Sequence, residues 1–330
     1  MLEDRSNQRA GRRRHAVVIA IAAVLSGLSM QVRASAQHAD TLGSGPSLSN
    51  ELTATQARAA AGDADSQYAL AAMYEGGNGV ERDQAQAIYW YRKAALQGQA
   101  AAQYNLGLIY GLGRGMARDQ GAAASWYRKA ADQGIAAAQN NLAIMYSQGI
   151  GIARDDAEAV GWYQKAAAQG LAAAQSNLGA MYASGSGVPR NIGEAIRWYR
   201  RASEQGYPGA QNNLGVLYSQ GVDIARNWQT AFRWFRKAAD QGYAPAQVNL
   251  GNLYLMGRGV PQDDGSAVSL YRSAAEQGYH PGQINLGNMY RVGRGVKQDS
   301  AQAAYWYGKA AEQAAKNGQD SQEDGTPLGP

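Results

Sequence analysis

Cysteine is absent from the 330 residues. That absence excludes disulfide staples, thiolate metal centres and a lipid anchor on an N-terminal cysteine. Histidine is scarce, with three in the chain. His15 lies in the basic N-terminus, and His38 and His280 stand far apart, so neither a histidine metal cluster nor a Ser-His-Asp arrangement is expected. No Ser-x-x-Lys is present to supply a penicillin-binding nucleophile. Gly111-Leu112-Gly113-Arg114-Gly115 has the outline of a dinucleotide loop, yet it follows a helical pattern instead of a strand and lacks the Rossmann context. Carboxylates are scattered, and those that recur sit where helices begin. The expectation is a protein without catalytic activity, cofactor or metal.

What the chain does have is a period. Gln67, Gln103, Gln139, Gln175, Gln211, Gln247 and Gln283 stand 36 residues apart, and no insertion disturbs the register between about Ala64 and Ala315. Units of this length cannot bury an apolar face alone, and so must stack on their neighbours. Within a unit the spacing is helical. Gln103, Leu106, Gly107 and Tyr110 fall at i, i+3, i+4 and i+7, and Ala123, Trp126, Tyr127 and Ala130 repeat the pattern twenty residues on. Each unit therefore reads as two antiparallel amphipathic helices, and the fold class as an all-α solenoid of αα-hairpins.

The punctuation agrees. Asp83, Asp119, Asp155, Asn191, Asn227, Asp263 and Asp299 occupy the N-cap of every second helix, where a side-chain oxygen satisfies free backbone N–H groups. Gly98, Gly134, Gly170, Gly206, Gly242 and Gly278 close those helices, while Pro208, Pro245 and Pro281 fall in the first turn of the next. Glycine inside the first helix costs about 1 kcal/mol against alanine, so Gly107, Gly179, Gly215, Gly251 and Gly287 imply close helix approach. The partners expected for that approach are the second-helix aromatics: Trp90, Trp126, Trp162, Trp198, Trp234 and Trp306, each followed by Tyr or Phe.

Units such as Ala102-Gln103-Tyr104-Asn105-Leu106-Gly107 followed by Trp126-Tyr127-Arg128-Lys129-Ala130-Ala131 resemble the Sel-one-like repeat family, relatives of the tetratricopeptide repeat. The resemblance implies a right-handed superhelix with a concave groove, used as an adaptor or scaffold in signalling, envelope and host-interaction proteins. Cysteine-rich bacterial members that staple each unit and are linked to β-lactam binding match poorly, because this chain has no cysteine.

Outside the repeats, residues 1–36 read as a bacterial signal peptide: five arginines in the first fifteen residues, an uncharged run from Ala16 to Val32, and small residues around Ala34 and Ala36. The same run nearly reaches the length of a membrane span, so an uncleaved anchor stays open. The leader holds six basic and two acidic residues of the 31 and 26 in the chain, so the remainder is nearly neutral and carries no nucleic-acid footprint. Residues 37–50 read as a flexible lead-in, 51–63 as an N-terminal capping helix, 64–316 as seven repeats and 317–330 as a disordered tail. A periplasmic or secreted location follows from the leader.

Partner-binding positions must come from side chains without a structural duty. One first-helix stripe contains Tyr104 and Leu108, Asn140 and Ile144, and Asn212 and Val216. Lining a groove, it would be almost uncharged and suit a helical or extended peptide from another protein, or alternatively peptidoglycan or another glycan. The same side chains could instead pack against the adjacent unit. Beside them runs a ladder of Asn105, Asn141, Asn177, Asn213 and Asn249, able either to grip a peptide backbone or to hold the junction between units. Arg82, Arg118, Arg154, Arg190 and Arg226 precede the N-caps and read as a solvated edge. Asp223 replaces a turn glycine, and nearby Trp228 stands outside the core register, either as an exposed anchor or packed on the neighbouring loop.

Overall fold

The computed structural model describes residues 46–323 and gives side-chain burial for 50–315. The expected signal peptide, most of the lead-in and the end of the tail lie outside the described residues. Fifteen α-helices are formed, with no strand among the described residues. A first helix, α1 (Pro46–Ala60), is followed by seven hairpins: α2 (Ala64–Gly76) and α3 (Gln84–Leu96), α4 (Ala100–Leu112) and α5 (Gln120–Asp132), α6 (Ala136–Gln148) and α7 (Asp156–Ala168), α8 (Ala172–Ser184) and α9 (Ile192–Glu204), α10 (Pro208–Gln220) and α11 (Trp228–Ala239), α12 (Ala244–Met256) and α13 (Asp264–Glu276), α14 (His280–Val292) and α15 (Ser300–Glu323). The fold is an all-α solenoid of αα-hairpins.

Both ends differ from expectation. The capping helix begins at Pro46 instead of Glu51, with Pro46 at the first helical position, where its missing N–H costs nothing. At the other end α15 runs on to Glu323, seven residues into the segment expected to be disordered. Ala314 stands where earlier second helices meet a glycine of positive φ, so nothing there reverses the chain.

Two compact bodies divide the chain, one up to Ala174 and one from Gln175. In the first, α4 buries Ala102, Gln103, Tyr104, Leu106, Gly107 and Ile109, and α5 answers with Ala123, Ala124, Tyr127, Ala130 and Ala131. In the second, α12 buries Ala246, Gln247, Val248, Leu250, Gly251 and Leu253 against Ala267, Val268, Tyr271, Ala274 and Ala275 of α13. The small residues bring the helices together, and the ring facing each first-helix glycine is not the expected tryptophan. It is the residue after it. A methyl on Gly107 would lie 2.5 Å from the Tyr127 ring, on Gly215 2.6 Å from Phe235 and on Gly251 2.7 Å from Tyr271. Trp162 is buried, but Trp90, Trp126, Trp198, Trp234 and Trp306 are half-buried. Several carry a cation one helical turn on, such as Lys129 at 4.2 Å from the Trp126 ring centre and Lys165 at 3.7 Å from Trp162.

The caps form as expected. The Asp119 carboxylate accepts from Ala122 N–H at 2.8 Å, and Asn227 accepts from Thr230 N–H at 2.8 Å. Asp223 is the non-glycine residue with positive φ among those described, at 62°, held by an ion pair with Arg190.

Candidate functional site

The glutamine anchors turn out to be locks. A buried amide must be paired or cost about 1–3 kcal/mol, and Gln103 is paired twice: its Nε2 donates to the Ala95 carbonyl of the preceding hairpin at 3.1 Å, and its Oε1 accepts from Gln133 Nε2 at 2.7 Å. Gln139 repeats this with Ala131 at 3.1 Å and Gln169 at 2.8 Å. In the second body Gln205 reaches Gln175 at 2.9 Å, Gln241 reaches Gln211 at 2.8 Å and Gln277 reaches Gln247 at 2.9 Å. Sequence reasoning took the first glutamine of each pair as an anchor and gave no role to the second, which recurs thirty residues on in these units.

The asparagine ladder also serves the stack. Burial pushes the Tyr104 hydroxyl up to about 12, and the Asn141 amide beside it works in the opposite sense. Asn141 does the same for Tyr127, Asn105 for Tyr68 and Tyr91, and Asn213 for Tyr199. Each of these asparagines thus stands at a tyrosine of the preceding hairpin. Asn249 Nδ2 donates to Asn212 Oδ1 at 2.9 Å. Asn177 occupies the same slot, half-buried.

The remaining candidates fall into two groups. Tyr104, Asn140 and Asn212 are buried in one slot, where Asn212 meets Asn249 of the next hairpin and Tyr104 meets the Tyr127 ring of its own. Leu108 and Val216 are half-buried and Ile144 is buried, in the slot one turn on. Trp228 is not exposed. It packs against the buried cluster that holds Ala231, Phe235, Leu250 and Leu253, under the guanidiniums of Arg226 at 5.5 Å and Arg258 at 4.8 Å from its ring centre. Gly259 sits so close that a methyl there would lie 2.5 Å from the Trp228 carbonyl. The ring closes a joint between hairpins.

Along one stripe of the first helices Ala101, Asn105 and Leu108 are half-buried and Leu112 is exposed. In the second body the same slots hold Gly209, Asn213, Val216 and Gln220, then Pro245, Asn249, Asn252 and Met256, then Pro281, Asn285, Asn288 and Val292. None of these residues is charged. The edge ladder of Arg82, Arg118, Arg154, Arg190 and Arg226 is exposed throughout. Among the described residues no helix is long and apolar enough to cross a membrane, and no three His, Cys, Asp or Glu side chains gather as around a metal ion.

Consecutive αα-hairpins packed through small residues define a repeat scaffold. The chain belongs to the Sel1 repeat family, a class of protein-interaction scaffolds, with matches at residues 64–99, 100–135, 136–171, 172–207, 208–243, 244–279 and 280–314. Among solved structures it is similar to c5321, a protective antigen of uropathogenic Escherichia coli with an SLR fold, at 39% identity and a TM-score of 0.67 over 81% of this chain. It spans 57% of that antigen's chain. A Sel1 repeat protein from Oxalobacter formigenes is 35% identical, with a TM-score of 0.67, over 83% of this chain and 80% of its own. No curated protein matches.

Proposed function

We propose that this chain is a non-catalytic periplasmic or secreted scaffold that binds a partner protein along the first-helix face of its hairpins. The observation that carries the reading is the almost uncharged, partly open stripe of amide, aliphatic and small residues on the first helices, with Asp65 as its charged member, which suits a helical or extended peptide. A preformed surface on a stacked core lowers the ordering cost of binding. Within the strip, Asn105, Leu108, Asn141, Asn177, Asn213, Val216 and Asn249 are the contact positions, and Tyr104, Asn140, Ile144, Asn212 and Trp228 hold the surface from behind. The basic, then apolar, then small-residue N-terminus supports export. Likeness to a protective antigen supports a role at the bacterial envelope or towards a host.

The test is in-cell crosslinking of the tagged full-length protein followed by mass spectrometry of the envelope fraction, beside a Leu108→Arg/Val216→Arg variant. Charge placed on an almost uncharged strip should abolish capture of a dominant partner without lowering the melting temperature by more than a few degrees. Retention on purified cell-wall sacculi with no protein captured would instead favour a glycan ligand.

A further inference from the structure

The position after the first glycine of the turn between the two helices of a hairpin is arginine in three units, Arg114, Arg258 and Arg294, thirty residues after the first turn of the preceding second helix. The residue found there differs. Arg294 Nε pairs with Asp264 at 2.8 Å, while its Nη2 donates to the Leu255 carbonyl at 2.8 Å. Arg258 lies over the Trp228 ring at 4.8 Å. The residue at that place for Arg114 is Gln84, which has no charge to offer, and a methyl on neighbouring Gly115 would lie 2.6 Å from its side chain. Arg114 instead has a long ion pair, with Glu75 at 3.8 Å.

Around Arg114 the structure forms an open depression lined by Glu75, Arg82, Gln84, Arg114 and Gly115. Its donors outnumber its acceptors. Glu75 is shared between the Tyr91 hydroxyl, which donates at 2.8 Å, and Arg114, which stays 3.8 Å away. The Gln84 amide nitrogen is buried with no hydrogen-bond partner, whereas Gln120, its counterpart one unit on, donates to the Gly111 carbonyl at 3.1 Å. Among the lining side chains two guanidiniums therefore face a single carboxylate, which leaves room for one further carboxylate as a partner.

We infer that Arg114 and Arg82, beside Gln84, form a subsite for a carboxylate of an acidic segment of the partner protein, a planar, singly charged group that fits the guanidinium fork. This rests on the protein-binding reading above and adds a charged end-point to an almost uncharged strip. Asp264 supplies the same group to Arg294 from within the chain.

Titration of the full chain with fluorescently labelled hexaglutamate at low salt, followed by anisotropy, tests the subsite directly, with hexaglutamine as the neutral control. Arg114→Gln should weaken binding about tenfold, the loss of one charge-assisted contact. Gln84→Glu, which places a carboxylate where Asp264 stands, should do the same. Arg294→Gln should leave binding unchanged. Glu75→Gln should tighten it, an outcome that misfolding cannot imitate. Absent binding to the wild type, or equal binding by Arg114→Gln and Gln84→Glu, overturns the proposal, and so does displacement by inorganic phosphate at lower concentration than by acetate. A partner captured in cells by wild type and Arg114→Gln alike would remove the subsite while leaving the scaffold reading in place.

Discussion

A single methyl group separates two kinds of glycine in these helices. Gly107 has no room for it, since a Cβ would meet the Tyr127 ring at 2.5 Å, whereas Gly161, in the middle of α7, has nothing within 4 Å. Gly107→Ala should therefore destabilise by about 1–3 kcal/mol through overpacking. Gly161→Ala should stabilise by about 0.5–1 kcal/mol through helix propensity. Urea titration of both variants checks the pair, and two shifts of the same sign would contradict it. Trp162 is buried, and its replacement by alanine should cost roughly 3–5 kcal/mol, well above the cost at half-buried Trp126. The need for a glycine slot was legible in the sequence, but the ring that fills it was not. Tryptophan and tyrosine are consecutive, about 100° apart around the helix, and either could have faced inward. The buried state of Asn140 was equally hidden, because an amide side chain enters a core only where a partner waits, which its own sequence position does not reveal.

Helix ends were read with fewer errors, because a cap is a local contract between a side chain and a backbone amide a few residues away. Asp263 accepts from the Ser266 N–H at 3.0 Å and the Ser266 hydroxyl at 2.6 Å, and these bonds hold its carboxyl below the usual range. Its folded pKa is depressed, so the stabilisation is fully present above the unfolded carboxylate pKa and disappears as pH falls through that value and then through the folded one. Wild type should accordingly lose more stability between pH 7 and pH 3 than Asp263→Asn, which keeps the cap and removes the charge. Denaturation midpoints at the two pH values measure this, and parallel losses would show that the cap does not titrate with folding. The long last helix follows from the same local logic. Restoring the missing stop with Ala314→Gly should raise hydrogen exchange of the amides between 316 and 323, since a flexible residue at the usual stop position then separates them from the stack.

At the scale of the molecule, the period was the most legible feature and the ligand the least. A 36-residue register is written in every unit, whereas the difference between Gln84 and Asp264 at one slot is meaningful only once Arg114 and Arg294 are seen above them. The register has a stringent consequence. If the stack is held by interchangeable interfaces, one whole unit can be removed and the contacts re-formed by its successor. Excision of residues 100–135 would join Gln99 to Ala136, leaving Gln139 to donate to the Ala95 carbonyl in place of Ala131, a bond now made by Gln103 at 3.1 Å. The turn at Gly151, which now presses on Gln120, would press on Gln84, the same residue type. The shortened protein should remain monodisperse and melt in one cooperative transition, somewhat below wild type because one interface is gone. Removing only residues 106–135 leaves the remaining anchors out of phase with the carbonyls they need and should give a protein that no longer melts cooperatively. The in-register deletion also puts Ile150 where Arg114 stood, so it should stay folded while losing hexaglutamate binding. Folding with binding intact would place the anion subsite elsewhere, and failure to fold would mean that the units are individually matched to their neighbours despite the common register.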